Sequence, residues 1–525
     1  MSFINMEYFL FIAVGIFVYY VMPKKFQWVV LLVMSYVYYL SFRVEAVAYI
    51  IFTTLVTFAA GLLIHRVDCR GKEWLAANKE NISRDEKKAF KDKLKSKKKL
   101  IMLIALVTDF APLAFVKYTN FLIENINKIA GDQISLLGIL VPIGISFYTF
   151  QSVGYLLDVY WGKVEPCRNP FKFALFVSFF PQIMQGPIGR FGSLAPQLMA
   201  PHSFNLTQVE FGLQRVFWGI FKKLILADRT SVYVYEVFVN NYQYYNGFYV
   251  IVGLLMYSVQ LYADFSGGID IVIGTAQMFG IRMDENFRQP FFSKSIGEFW
   301  RRWHITLGTW MKDYVFYPFS LSKVFSRIGK FTKEKFGKQT GQTIPICISN
   351  ILIFFLVGVW HGAAWKYIAY GLFNGFIIAF SNLCKPLYKK GLDKCHINGD
   401  GRAWTVFKIF RTFILVNIGW YFDMAVSLRA AFEMMVNTLY RISFKPFIDG
   451  SIFTLGMGKR DFAIVAAGCL IWFVISLMQE RGIKVREAVA KLVLPVRWAI
   501  YLALIFIPVL IGYVGETQGF IYAQF

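Results

Sequence analysis

Apolar segments of about twenty residues recur along almost the whole chain, and no other feature restricts its fold so strongly. A bilayer core takes about 20 apolar residues per helix. Candidates fall at 6–22, 27–42, 44–64, 100–118, 137–160, 171–187, 209–227, 246–265, 268–281, 343–361, 364–383, 405–423, 461–478 and 494–514. The pattern predicts an all-α polytopic membrane protein with roughly 11–14 membrane segments, forming one domain over 1–525. Some segments should be re-entrant or broken. VPIGISFYTF contains Pro142, and SFFPQIMQGPIGRF contains Pro181 and Pro187. Such backbone is tolerated at membrane depth only where protein or a water-filled cavity covers it. The first segment, YFLFIAVGIFVYYV, ends at Pro23-Lys24-Lys25 with no small-residue cleavage site, so it reads as a retained span.

Composition agrees. Only 17% of residues are charged, against roughly a quarter in soluble domains. The formal charge of +24 would suggest nucleic acid in a soluble protein, but no soluble segment here is large enough for such a domain. In a membrane protein the excess reflects basic cytoplasmic loops. The stretch 66–99, containing NISRDEKKAFKDKLKSKKK, is the clearest; it reads as a solvated amphipathic helix or a linker on the cytoplasmic side. Three spans precede it, which places the N-terminus outside. Basic residues at 323–338 and 481–497 mark two more cytoplasmic stretches, and one span then carries the tail 515–525 outside. The six cysteines are scattered without a CxxC pair, so neither a disulfide framework nor a metal site is expected. No internal repeat is evident, which weighs against an inverted-repeat transporter.

Ionisable groups within membrane segments are rare and are functional candidates by default. Here they cluster. LYADFSGGIDIVIG holds Asp264, Ser266 and Asp270. The segment from Asn286 to Phe319 holds Arg288, Glu298, Arg301, Arg302, His304, Lys312 and Asp313. Glu298, Arg301 and Arg302 are spaced i, i+3, i+4, so ion pairs on one helix face are available. With Trp300, Trp303 and Trp310 they have the composition of an interfacial helix. That helix is either a headgroup-level anchor or a place where arginine forks meet the phosphates of a cofactor or lipid.

The third cluster is LVGVWHGAAWKY, residues 356–367, with His361 in its middle. The chain has five histidines, and His304 and His361 are the two between 203 and 395. His361 is either a polar helix-packing contact or a neutral imidazole able to act as general base. Gly358 and Gly362 beside it admit a close substrate or, equally, a packed helix.

These segments resemble the membrane-bound O-acyltransferase family. The nearest branch is the membrane subunit of alginate O-acetylation, with the D-alanyl transfer protein of teichoic acid modification as a relative. The resemblance is carried by VPIGISFYTFQSVGYLLDVY, FFPQIMQGPIGRF, GIFKKLILAD, YADFSGGIDIVIG, NFRQPFFSKSIGEFWRRWHITLGTWMKDYVFYP and GVWHGAAWKYIAYGLFNG, in that order. It implies helices around a central tunnel, catalytic histidines at His361 and His304, and donor or tunnel contacts from Arg301, Arg302, Asp264, Asn286 and Asp313. It implies acetyl-CoA as acyl donor, an extracytoplasmic polysaccharide as acceptor, and the bacterial inner membrane as location. The terminal FIYAQF resembles the family's aromatic-tyrosine motif, so Tyr522 becomes a candidate acyl carrier; on pattern alone it is an interface anchor.

Three departures stand out. Gly268 replaces an aromatic, 320–341 is longer than a tight loop, and no GxSxG or GDS is present, which implies a separate SGNH-type transferase partner. The alternatives are D-alanyl transfer from an acyl carrier protein, a transporter or flippase using Asp264, Asp270 and His304 as a proton relay, and an assembly scaffold.

Overall fold

The computed structural model describes all residues except Met1, Asp132, Glu516–Gln518 and Tyr522–Phe525. Among the described residues the chain is α-helical, with one antiparallel bridge between Phe287 and Trp303. It divides into two compact units. The first contains residues up to Leu213 and Val272–Asp284; the second contains Gln214–Ile271 and Glu285–Ile521.

The first unit holds α1 (Met6–Val21), α2 (Gln27–Leu40), α3 (Val47–Ala77), α4 (Arg84–Ala130), α5 (Ile145–Tyr160), α6 (Pro170–Ser178) and α7 (Phe191–Met199). The basic stretch 66–99 is helix, not linker. Ser83 and Glu86 form a capping box, with Glu86 N–H donating to Ser83 Oγ at 3.2 Å and Ser83 N–H to Glu86 Oε2 at 3.0 Å, so α4 starts within the polar stretch. Lys98 pairs with Asp68 at 2.7 Å and Trp74 stacks on Phe90, which closes α3 and α4 into a hairpin.

Two helices, α8 (Leu206–Phe221) and α10 (Gly247–Met278), have residues in both units. The second unit adds α9 (Asp228–Tyr235), α11 (Ile296–Arg302), α12 (Ile305–Met311), α13 (Tyr317–Ser320), α14 (Lys323–His361), α15 (Trp365–Leu383), α16 (Lys385–Lys394) and α17 (Arg402–Met424). Then come α18 (Leu428–Tyr440), α19 (Lys445–Ile448), α20 (Lys459–Glu480), α21 (Val485–Ala490) and α22 (Leu494–Ile511).

Among the described residues, six helices, α3, α4, α10, α14, α20 and α22, are long and apolar enough to span a bilayer, and α15 with α16, bent by 56°, makes a seventh if the pair is one span. The all-α polytopic expectation holds, with fewer full-length spans than apolar ranges. The ranges 246–265 and 268–281 are one helix, α10. Its glycine pair does not break it, because Gly267 packs against Gly219 of α8, whose carbonyl would lie 2.9 Å from an added Cβ. The range 171–187 is the nine-residue α6 followed by irregular chain. The longer segment at 320–341 is a helical turn-back. The chain reverses at Gly337, at φ +78°, a conformation glycine takes without strain, and Thr332 Oγ1 donates to Gly341 O at 2.8 Å.

The helix ending in His361 packs tightly on α15. A Cβ added at Gly358 would strike the carbonyl of Tyr367, and one at Gly371 the carbonyl of Phe354. Gly371→Ala should therefore cost about 1–3 kcal/mol of stability through overpacking. Thermal melting in detergent checks this; an unchanged midpoint would show that the two helices are free to separate.

Candidate active site

The segment predicted to be one interfacial helix is broken into short pieces, and the breaks place His304. After α11 the chain leaves the helix at Trp303, and His304 adopts φ +47°, a left-handed conformation uncommon outside glycine. Backbone bonds on either side hold it there: Arg288 N–H donates to Arg302 O at 2.9 Å, and Ile305 N–H to Asn286 O at 3.0 Å. Backbone held in sparsely populated regions clusters at functional sites.

Asn286 is fully buried and organises the turn. Its Oδ1 accepts from the Thr306 N–H and from Thr306 Oγ1, both at 2.9 Å, and lies 3.3 Å from His304 Nδ1. A backbone N–H can only donate, so the atom it faces is the amide oxygen, and His304 Nδ1 must carry the proton. His304 Nε2 then carries the lone pair. Burial first, and the neighbouring His361 second, lower the His304 pKa from 6.5 to about 3. The folded chain thus keeps this ring neutral while the unfolded chain would protonate it below about pH 6.5. Its share of stability is complete above the unfolded value and is lost as pH falls toward the folded one. Wild-type melting temperature should drop as pH falls from 6.5 toward about 3, and His304→Gln should flatten that slope. Parallel slopes in the two proteins would contradict a buried neutral ring.

His361 is the last residue of α14 and is 3% exposed; His304 is 2% exposed. Trp360 joins them. Its ring centroid lies 5.8 Å from that of His304 and 5.2 Å from that of His361. Phe265 packs edge-on to His304 at 4.9 Å, and Tyr370 edge-on to His361 at 5.5 Å. Trp420 stacks on Tyr370 and donates from Nε1 to Ser258 Oγ at 2.9 Å. Gly362 is covered by the Tyr367 ring, so at Gly358 and Gly362 the close approach is that of α15. The result is two imidazoles in one aromatic enclosure, one of them with its tautomer set by a buried amide. Such a pair can take a proton from a hydroxyl and orient a second group beside it.

The other predicted residues divide. Asn286 joins His304 directly. Arg302 ends at carboxylates: it donates to Glu480 Oε2 at 2.7 Å and Oε1 at 3.0 Å, and pairs with Glu298 at 2.8 Å. These carboxylates hold its pKa above the ordinary value. Arg301 is exposed, and Asp313 is half-buried in a π-helical turn at Lys312–Phe316. Asp264 pairs with Lys223 at 2.6 Å, and Asp270 with Lys222 at 2.5 Å and Arg215 at 2.8 Å. Tyr522 lies outside the described residues. The partners Lys222 and Lys223 were not singled out from sequence. The signal was there: two adjacent lysines within the apolar range 209–227 meet the same criterion that flagged the aspartates.

Comparison with known proteins matches residues 168–332 to the model of MBOAT, the membrane-bound O-acyltransferase family. The chain is similar to the probable alginate O-acetylase AlgI of Pseudomonas aeruginosa, 32% identical over 82% of this chain and 73% of that one. It is also similar to the peptidoglycan O-acetyltransferase of Helicobacter pylori, 30% identical over 64% of each chain. The teichoic acid D-alanyltransferase of Bacillus subtilis is 31% identical over 53% of this chain and 67% of that one. The multi-pass helical architecture and these relatives together place the chain in the membrane-bound O-acyltransferase family, as an O-acyltransferase.

Proposed function

We propose that this enzyme moves an acetyl group from cytoplasmic acetyl-CoA across the bacterial inner membrane for O-acetylation of an extracytoplasmic polysaccharide. Both termini lie outside in this reading. The observation that carries it is the aromatic enclosure in which Trp360 links His304 to His361. His361 removes the proton of the acceptor hydroxyl. The oxygen attacks the thioester carbonyl, the C–O bond forms, the C–S bond breaks, and the leaving thiolate takes a proton. His304, neutral and fixed by Asn286, orients the acyl carbonyl or the acceptor. Tyr522 receives the acetyl group first, and a separate SGNH-type transferase passes it from there to the polymer. Arg301, Asp313 and Asp264 remain as donor or tunnel contacts of this reading.

Acetyl is favoured over D-alanyl by the extent of similarity: the alginate O-acetylase relative aligns over 82% of this chain and the D-alanyltransferase over 53%. The polysaccharide acceptor follows the named substrates of the acetylating relatives. The relay reading is less suited, since Asp264 and Asp270 are each paired with a buried lysine.

The test uses purified protein in liposomes with labelled acetyl-CoA and mass spectrometry of the C-terminal peptide. Acetyl on Tyr522, absent in Tyr522→Phe and in His361→Ala, is expected. Label taken only from a D-alanyl carrier protein would replace the donor; no transfer from either donor, with a partner present, would sink the reading.

A further inference from the structure

After α22 the chain is led along the π-helical segment Lys222–Ala227. Arg229 donates to Ile511 O, and Tyr513 N–H to Leu224 O at 3.1 Å. Farther on, the described tail residues Gly519–Ile521 meet a buried charged cluster. Lys223 Nζ lies 2.6 Å from Asp264 Oδ1, 2.8 Å from Asp228 Oδ1 and 3.3 Å from Gly519 O. The Phe520 ring centroid is 4.6 Å from the same nitrogen, and Ile521 N–H donates to Asp264 Oδ2 at 2.8 Å. The three charged side chains are at most 3% exposed and Phe520 is 2% exposed.

The geometry matches the tail donor for acceptor. An ammonium has three N–H donors; two go to carboxylates and the third to the Gly519 carbonyl. Asp264 gives one oxygen to Lys223 and the other to the Ile521 N–H. Without the tail, one N–H of the buried ammonium would lose its carbonyl and a buried Asp264 oxygen would lose its donor, the latter at a cost of about 1–3 kcal/mol. The cluster therefore asks for a carbonyl, an aromatic ring, and an N–H two residues after the carbonyl. A chain end needing only an anchor would be held by apolar packing, without the desolvation cost of three buried charges. Directional bonds instead set the register of the segment that immediately precedes Tyr522 in sequence.

We infer that Lys223, Asp264 and Asp228 form a docking site for the C-terminal segment Gly519–Ile521, and that this site positions the tail for acyl loading. The second half rests on the acyl-carrier reading of Tyr522; the docking site does not.

The test separates the two. A chain ending at Gly515, in lipid nanodiscs, is titrated with the fluorescent peptide GETQGFIYAQF. The peptide should bind saturably. N-methylation of its isoleucine, which removes one N–H and leaves the protein untouched, should weaken binding about tenfold, the loss of one buried hydrogen bond. Lys223→Met should weaken it by at least as much. Equal binding of both peptides, or none to a truncated chain that melts like the full one, overturns the docking site. Should the truncated chain not fold, hydrogen exchange on the full chain decides. Lys223→Met should speed exchange at Ile521 about tenfold with α20 unchanged, and unchanged exchange at Ile521 overturns the proposal. Binding without acetyl on Tyr522 would keep the dock and remove the carrier; acetyl on Tyr522 without binding would do the reverse.

Discussion

His361→Ala is expected to abolish acyl transfer while the protein still inserts and folds. Loss of a positioned general base costs about 10²–10⁴ in rate, and the rings that pack around His361, those of Trp360, Tyr367 and Tyr370, offer no base at neutral pH. The ring sits at the end of α14, where the chain leaves the helix at Gly362, so its removal leaves a cavity at a helix end rather than in mid-helix. His361→Gln fills more of that space and should melt closer to wild type while remaining as inactive. The measurement is the initial rate of label transfer from the thioester, normalised to folded protein by size-exclusion chromatography. Near-wild-type transfer in well-folded His361→Gln would remove the residue from the chemistry and leave it a packing contact.

The largest effect on stability is expected at Asp270. This carboxylate accepts from Lys222 at 2.5 Å and from Arg215 at 2.8 Å, and Arg215 continues to Glu285 at 2.7 Å. Lys222 also reaches Ser266 at 2.8 Å. Asp270→Ala strands a lysine that is 3% exposed, with the Ser266 hydroxyl and the face of Tyr262 left to it and no counter-charge at hydrogen-bond distance. Removing one partner of a buried pair costs about 3–5 kcal/mol, because the other charge stays desolvated. Thermal melting in detergent should show the loss. The double change Lys222→Met with Asp270→Ala should recover part of it, since the stranded ammonium is then gone. A proton-relay role predicts the opposite ranking: a stable Asp270→Ala protein that has lost function.

What sequence alone determined was the helical, membrane-crossing character of the chain and the identity of its unusual groups. Both are local. Twenty apolar residues in a bilayer must form helix to satisfy their own backbone, and an ionisable residue inside such a run costs too much to be there without a role. His361, Asp264 and Asp270 were legible for that reason, and His304 from the histidine-poor composition and the motif around it. The tertiary structure decided what each of them touches. Asp264 takes its cation from Lys223, 41 residues earlier, and its second donor from Ile521, 257 residues later. His304 owes its tautomer to Asn286 across a turn that periodicity reads as continuous helix. The apolar ranges 246–265 and 268–281 read as separate segments, and in the structure they are one helix, α10, with Gly267 close against Gly219 of α8. Partner choice depends on which helix faces lie together, and residues hundreds of positions apart meet only once the bundle has closed.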